Sequence, residues 1–290
     1  MMKLLKNSNF DFVSRFKISS YISLVFIIIG VLSFLIKGPE LGIDFKGGTE
    51  LIVQLDSEFS NKNQIINYLK EENINYSNVK SYGGNKIRIL FDLDFNEKLI
   101  KSKLHVISYN KIGSTISDEL TYDAMKALFI AVILIGFFII IRFDWYSAIG
   151  GITALIHDIL IVISMLVFFS YEFNINIIAT FLIIMGYSLN DTIVVFDRIR
   201  ENIDEYSNMK LYKIINLSLN ETLARTLITS VTTLFVVISL YIFGGGSLKG
   251  LSFGLIIGIL SGTYSSIFVA TPVMMFLRDK YYVEENEREA

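Results

Sequence analysis

With 290 residues, 26 Lys+Arg against 28 Asp+Glu and a formal net charge of −2, the chain lacks the concentrated basic surface that nucleic-acid binding requires. Its 52% hydrophobic content and mean hydropathy of +0.53 could suit a large soluble core, but the apolar residues come in long uncharged blocks, which excludes an ordinary globular domain as the whole of the chain. The absence of cysteine excludes disulfides and thiolate metal sites and identifies no compartment.

Residues 1–17 form a basic arm with Lys3, Lys6, Arg15 and Lys17, and residues 18–36 are the first uncharged block. Roughly 20 apolar residues at 1.5 Å rise cross a bilayer core, so this block reads as transmembrane helix 1. It is too long for a signal-peptide core and no small-x-small cleavage site follows it, so a retained anchor is expected.

Residues 37–121 are the only sizeable polar region and are expected to fold by themselves on the outer face. Alternating or β-branched runs predict strands at 51–55, 75–82, 87–91 and 111–117, and helical spacing predicts helices at 62–71 and 96–107. Gly83, Gly84 and Asn85 supply the turn between the middle strands. The order β-α-β-β-α-β implies a small α+β ferredoxin-like domain between helices 1 and 2.

Residues 122–277 hold five more blocks, at 127–141, 145–171, 173–196, 226–248 and 250–277. The fold class is therefore a polytopic α-helical membrane protein with six transmembrane helices. The short block 127–141 is expected to gain length from Lys126 and Arg142, whose charged tips reach the interface. Residues 197–222 read as a cytoplasmic helical loop, with a second short amphipathic helix over 211–222, and residues 278–290 as a cytoplasmic tail.

Lys and Arg crowd the arm, the 197–222 loop (Arg198, Arg200, Lys210, Lys213, with Arg225 just beyond) and the tail (Arg278, Lys280, Arg288), whereas the opposite short loops carry only Lys249. The bias puts both termini in the cytoplasm.

Three ionisable side chains, His157, Asp158 and Asp191, sit inside apolar blocks, where an ionised group is costly and by default marks an ion or proton route. Asp191 lies six residues before Asp197, roughly 9 Å inside the cytoplasmic boundary. Thr180, Tyr187 and neighbouring Asn190 extend its polar strip, and Thr222, Thr226, Thr229 and Thr233 form a matching strip on the next span with Arg225 one turn before Thr229. A carboxylate and an arginine entering one bundle can make a switchable proton site, because the cation and desolvation act on the carboxylate in opposite directions. The plainer reading of Asp191, Asp158 and His157 is a hydrogen-bonded helix lock, and of Arg225 a topology signal. His157 and Asp158, adjacent in sequence, point about 100° apart, so only one can face a given neighbour.

Gly250, Gly254, Gly258 and Gly262, one turn apart, predict a smooth face for close helix packing. On the outer side, LGIDFKGGTEL (41–51) carries Gly42, Asp44, Gly47 and Gly48, whose glycines permit a bend above the membrane. GGGSLKG (244–250) lacks the order of a phosphate loop, and His105 and His157 stand apart with no HExxH, so ATP use and zinc hydrolysis are not expected. No cofactor, metal or catalytic residue is expected, and the chain does not read as an enzyme.

LGIDFKGGTEL, the His157-Asp158 pair, GYSLNDTIVVFDRIREN (186–202) and ARTLITSVTTL (224–234) together resemble SecF, the smaller membrane subunit of the bacterial SecD/SecF protein-export complex, over nearly the whole chain. The resemblance implies half of an RND-type transporter completed by a SecD-like subunit, working with the Sec translocation channel and its membrane subunits on an exported polypeptide, within membrane lipid of the cytoplasmic membrane. It implies that Asp191 and Arg225 serve a proton relay driven by the proton motive force, and Asp158 matches a family motif, so all three are carried as relay residues. Gly113-Ser114 departs from the Gly-Pro of the family pattern and is expected to loosen a turn. The readings to be separated are a proton-coupled export subunit, half of a small-solute exporter, and a scaffold of the translocation channel that transports nothing.

Overall fold

The computed structural model describes residues 10–56, 59–93, 104–206 and 208–279. After a 3-10 turn at Val13–Arg15, α1 runs over Phe16–Lys37 and stops where Gly38 takes φ +69 and its N–H bonds back to Phe34 O at 2.9 Å, with Pro39 barring continuation. A two-residue strand β1 (Glu40–Leu41) and a single-turn helix α2 (Ile43–Lys46) then lead into the outer domain.

That domain is built from β2 (Gly48–Gln54), α3 (Lys62–Glu71), β3 (Asn78–Ser81), β4 (Lys86–Phe91) and β5 (Val106–Ile112), in the sheet order β3-β4-β2-β5 with every pair antiparallel. This is the strand order of a ferredoxin-like sheet. Asn61 starts α3 by accepting the Gln64 N–H at 3.1 Å, and Ile65 and Leu69 bury against Leu51, Val53, Ile87 and Ile89 of the sheet. Gly83 and Gly84, at φ +88 and +57, make the predicted β3–β4 turn. Most of the predicted helix at 96–107 lies outside the described residues, and its last part is corrected, since Val106 and Ile107 open β5.

The expected strand at 111–117 is corrected. Its first residues close β5, and a new helix starts at Ser114, so the expected domain boundary at Thr121 lies within that helix. Gly113 is its N-cap in extended conformation, with φ −75 and ψ 161, and the departure from Gly-Pro leaves no strained turn. The polar first turns of this helix stand clear of its apolar block, so that their pattern resembles strand alternation.

The remaining helices are α4 (Ser114–Arg142), α5 (Trp145–Phe168), α6 (Ile175–Glu205), α7 (Leu211–Phe243) and α8 (Gly245–Ser265), which continues through a π turn at Ser266–Ala270 to Asp279. Asp144 caps α5 by accepting the Ser147 N–H at 2.9 Å, and strand β6 (Glu172–Phe173) pairs in parallel with β1 between α5 and α6. Among the described residues six helices are long and apolar enough to cross a membrane. Helix α4 at 29 residues removes the length shortfall of its apolar block. The separate helix expected over 211–222 is corrected as well: no Gly or Pro interrupts 211–243, and α7 is continuous.

Helices α5, α6 and α8 form the centre, while α1 and α4 turn broad apolar faces outward, as lipid-facing helices do. The glycine stripe of α8 lies against α6: a Cβ at Gly254 would come 2.8 Å from Thr180 Cγ2, one at Gly262 2.9 Å from Ser188 Cβ, and one at Gly258 would overlap Ile184. The stripe thus lies in close contact with α6. Gly258→Leu is expected to destabilise the chain by about 1–3 kcal/mol through overpacking, read as thermal unfolding in mild detergent; wild-type stability would mean that α6 and α8 are not in contact.

Candidate functional site

Two buried carboxylates occupy the bundle, and their surroundings differ. Asp158 on α5 is fully buried and accepts hydrogen bonds from Ser188 of α6 at 2.6 Å and from Ser261 and Ser265 of α8 at 2.6 and 2.7 Å. His157 Nδ1 lies 3.1 Å from the same carboxylate, and its Nε2 lies 3.1 Å from Ser23 Oγ of α1. Ser23 Oγ is also 3.1 Å from the Tyr264 hydroxyl, which donates to Ser19 O at 2.7 Å. The cluster ties α1, α5, α6 and α8 together, with His157 facing α1 and Asp158 facing α6 and α8.

Asp191 lies one turn beyond Ser188 on α6 and is 2% exposed, yet its Oδ2 has no hydrogen-bond partner. It looks onto α7, where Arg225 acts on it electrostatically and Thr229 stands beside it, but no direct ion pair joins Asp191 to Arg225. Thr226 Oγ1, next to Arg225 in sequence and buried, is likewise without a partner. The other hydroxyls of the strip bond back to their own helix: Thr222 to Ser218 O at 2.9 Å, Thr229 to Thr226 O at 2.9 Å and Thr233 to Thr229 O at 2.9 Å. Tyr187 reaches Thr233 Oγ1 at only 3.4 Å, and Thr180 turns to the glycines of α8. Asn190 and Arg225 are exposed on the outside of this chain, so the α6–α7 seam opens to its surface.

Below the seam, Arg142 pairs with Asp197 at 2.7 Å, and Arg198 joins Glu201 at 2.8 Å and Glu221 at 2.7 Å. Phe10 N–H donates to Asn220 at 2.9 Å and Phe12 N–H to Asn216 at 2.8 Å, which brings the N-terminal segment to the end of the bundle that holds the α6–α7 connection. The four-stranded domain lies at the other end.

In the outer motif, Gly47 and Gly48 take φ +70 and +130, giving the expected bend, while the sheet's register shift falls later, between Ile52 and Val53. Gly42 N–H donates to Phe173 O at 2.7 Å, and Asp44 Oδ2 accepts the Ile175 N–H at 2.9 Å, at the first turn of α6. Among the described residues no three His, Cys, Asp or Glu side chains converge as a metal site would need.

Sequence reasoning missed Ser188, Ser261 and Ser265. The signal was present, because Ser261 and Ser265 stand at i and i+4 beside the glycine stripe, and Ser188 sits three residues before Asp191. It also missed Arg88 and Glu172, which pair across 84 residues and leave no local pattern.

A bundle of six membrane-length helices enclosing two buried carboxylates, with a small four-stranded α+β domain at one end, defines a polytopic α-helical membrane protein. The family described as "Protein export membrane protein SecD/SecF, C-terminal" matches residues 94–280, and the "SecD/SecF GG Motif" matches residues 32–58. The chain belongs to the SecD/SecF protein-export membrane protein family. It is 40% identical to "Protein translocase subunit SecF" of Rhodothermus marinus, covering 96% of each chain, and 40% identical to the protein of that name from Calditerrivibrio nitroreducens, covering 96% of this chain and 97% of the relative. Its structure is similar to SecDF of Thermus thermophilus, described as translocon-associated, with TM-score 0.86 and 29% identity over 94% of this chain and 39% of that one. A SecDF structure in a super-membrane-facing form fits with TM-score 0.72 and 28% identity over 97% of this chain and 40% of that one.

Proposed function

We propose that the chain is a multi-pass accessory subunit of protein export in the bacterial cytoplasmic membrane, with both termini in the cytoplasm. It works beside a SecD-like half and the translocation channel. Protons pass from the outer side through the Asp191–Arg225 seam, and the resulting helix repacking moves the outer domain, which acts on the exported polypeptide.

The observation that carries this reading is the partnerless Oδ2 of Asp191 in an apolar interior. A buried acceptor without a donor costs about 1–3 kcal/mol, a standing cost that a change of protonation or partner relieves. Asp158, by contrast, is saturated by three hydroxyls and an imidazole, which suits a fixed lock, so we place Asp191 and Arg225 in the proton path and give Asp158 the part of holding the helices around it. The exposure of Asn190 and Arg225 on one seam supports a second membrane half covering it. One charge crossing 100 mV yields ~2.3 kcal/mol, enough to bias a two-state rearrangement about fiftyfold.

The test is export by the complex reconstituted with its SecD-like half and channel under an imposed proton gradient. Arg225→Gln is expected to reduce the gradient-dependent part of export about tenfold or more, and Arg225→Lys, which keeps the charge, to lose less. Wild-type gradient dependence in Arg225→Gln would remove the seam from the proton path.

A further inference from the structure

The outer domain meets the membrane helices at residues 169–174, the connection from α5 to α6, and at the start of α8, where a Cβ on Gly246 would overlap Tyr82 O. Arg88, on β4 of the sheet, donates through Nη1 and Nη2 to Glu172 at 2.8 and 2.6 Å and through Nε to Glu50 of β2. Glu172 is buried and Arg88 half-buried. Burial pushes the Glu172 carboxyl above its ordinary range and Arg88 pulls it back; burial also works against the charge of Arg88, but Glu172 and Glu50 outweigh it and hold its pKa above the usual value. The forked geometry is that of an ionised pair, and a planar two-point contact fixes orientation as well as distance.

Three further links surround that fork. Lys80 pairs with Glu40 and donates to Ser170 O at 2.9 Å. The β1–β6 ladder sets Glu40 opposite Glu172, and a Cβ on Gly42 would come 2.7 Å from Glu172 Oε1, so the strands approach this closely because residue 42 is glycine. Asp44 caps α6 at Ile175 where the helix's own N-cap residue, Asn174, offers no side-chain bond. Asp191 lies 16 residues further along the same helix, about 24 Å away at 1.5 Å per residue. One continuous helix therefore joins the carboxylate at its middle to the sheet of the outer domain at its start.

We propose that Arg88, Glu172 and Asp44 form a transmission joint: they are positioning residues through which a displacement of α6 is handed to the β2–β4 pair and so to the outer domain. The proposal rests on the proton-driven reading above and gives the LGIDFKGGTEL segment a mechanical part, its carboxylate gripping the helix that carries the proton site. Neither Arg88 nor Glu172 is in the proton path, so weakening the joint uncouples proton passage from work and leaves passage intact.

The test uses the full chain with its SecD-like half and channel in proteoliposomes, with proton uptake and gradient-driven export measured on the same preparation. Arg88→Gln and Glu172→Gln are each expected to lower gradient-driven export about tenfold while Asp191-dependent proton uptake stays within about twofold of wild type. The exchanged pair, Arg88→Glu with Glu172→Arg, made together with Glu50→Gln so that no carboxylate faces the new one, is expected to recover at least half of the export. Asp44→Asn, which keeps an acceptor oxygen for Ile175 N–H, should export better than Asp44→Ala. The joint is overturned if export and proton uptake fall together, if the exchanged pair exports no better than the single variants, or if the single variants no longer assemble with the partner half, since the contact then serves folding. Absence of any Asp191-dependent proton uptake in wild type would defeat the proton reading instead, and the joint would then stand or fall on recovery of export by the exchanged pair.

Discussion

Replacing Asp191 by Asn is expected to abolish the part of export that depends on the proton gradient, leaving gradient-independent export and assembly with the SecD-like half at wild-type levels. The substitution keeps the size and shape of the side chain on α6 and removes its charge together with its capacity to take up and release a proton. Because Oδ2 has no donor to lose, the packing cost is small. The gradient-driven increment should therefore drop by about fiftyfold, the bias that one proton crossing ~100 mV supplies. Export measured with and without a gradient, in vesicles holding equal amounts of assembled complex, decides the matter. Unchanged gradient dependence in Asp191→Asn would leave a scaffold of the channel as the surviving reading. If the reconstituted wild-type complex instead exported small solutes against the gradient, the exporter reading would replace both.

The parts of this architecture legible in the sequence are those set by local period. Six apolar blocks gave six spanning helices, and Lys62–Glu71 emerged as a helix with the predicted bounds because its cap, Asn61, and its buried residues, Ile65 and Leu69, all lie within one short window. The glycine stripe was legible for the same reason, since its spacing alone puts it on one face. What misled the reading was continuity: polar turns at 114–121 and 211–222 lie on helices whose apolar parts come later, and hydropathy blocks mark membrane depth, not helix length. The buried ionisable residues announced themselves by cost, but whether each was satisfied depended on hydroxyls of other helices. Ser261 and Ser265 reach Asp158 across more than a hundred residues of chain, and the fork between Arg88 and Glu172 spans 84. Such pairings follow from the docking of elements and carry no signature within any one of them.

The second large effect concerns Asp158, where the expected loss is stability. Replacing it by Ala removes the acceptor shared by Ser188, Ser261, Ser265 and His157 at the meeting point of α5, α6 and α8, and with it the link through His157 and Ser23 to α1. Each serine hydroxyl can rotate to a carbonyl one turn back on its own helix, as Ser265 already does toward Gly262 O at 3.3 Å, so the cost per hydroxyl is modest. Interhelical hydrogen bonds in membranes average ~0.6 kcal/mol, and the three serine bonds, the contact with neighbouring His157 and the vacated volume together predict a destabilisation of about 2–4 kcal/mol. His157 has no such local alternative, and its ring should carry the largest share. Asp158→Asn keeps one acceptor oxygen and can donate to a serine that turns, so it should lose less than half as much and retain proton passage per assembled complex within about threefold. Unfolding in mild detergent, measured beside proton uptake for both variants and for Asp191→Asn, separates the two carboxylates: one should report on the firmness of the bundle and the other on the current through it. Loss of proton uptake in Asp158→Asn at unaltered stability would put Asp158 in the path beside Asp191, and the serines around it would then be proton partners where they are here taken for anchors.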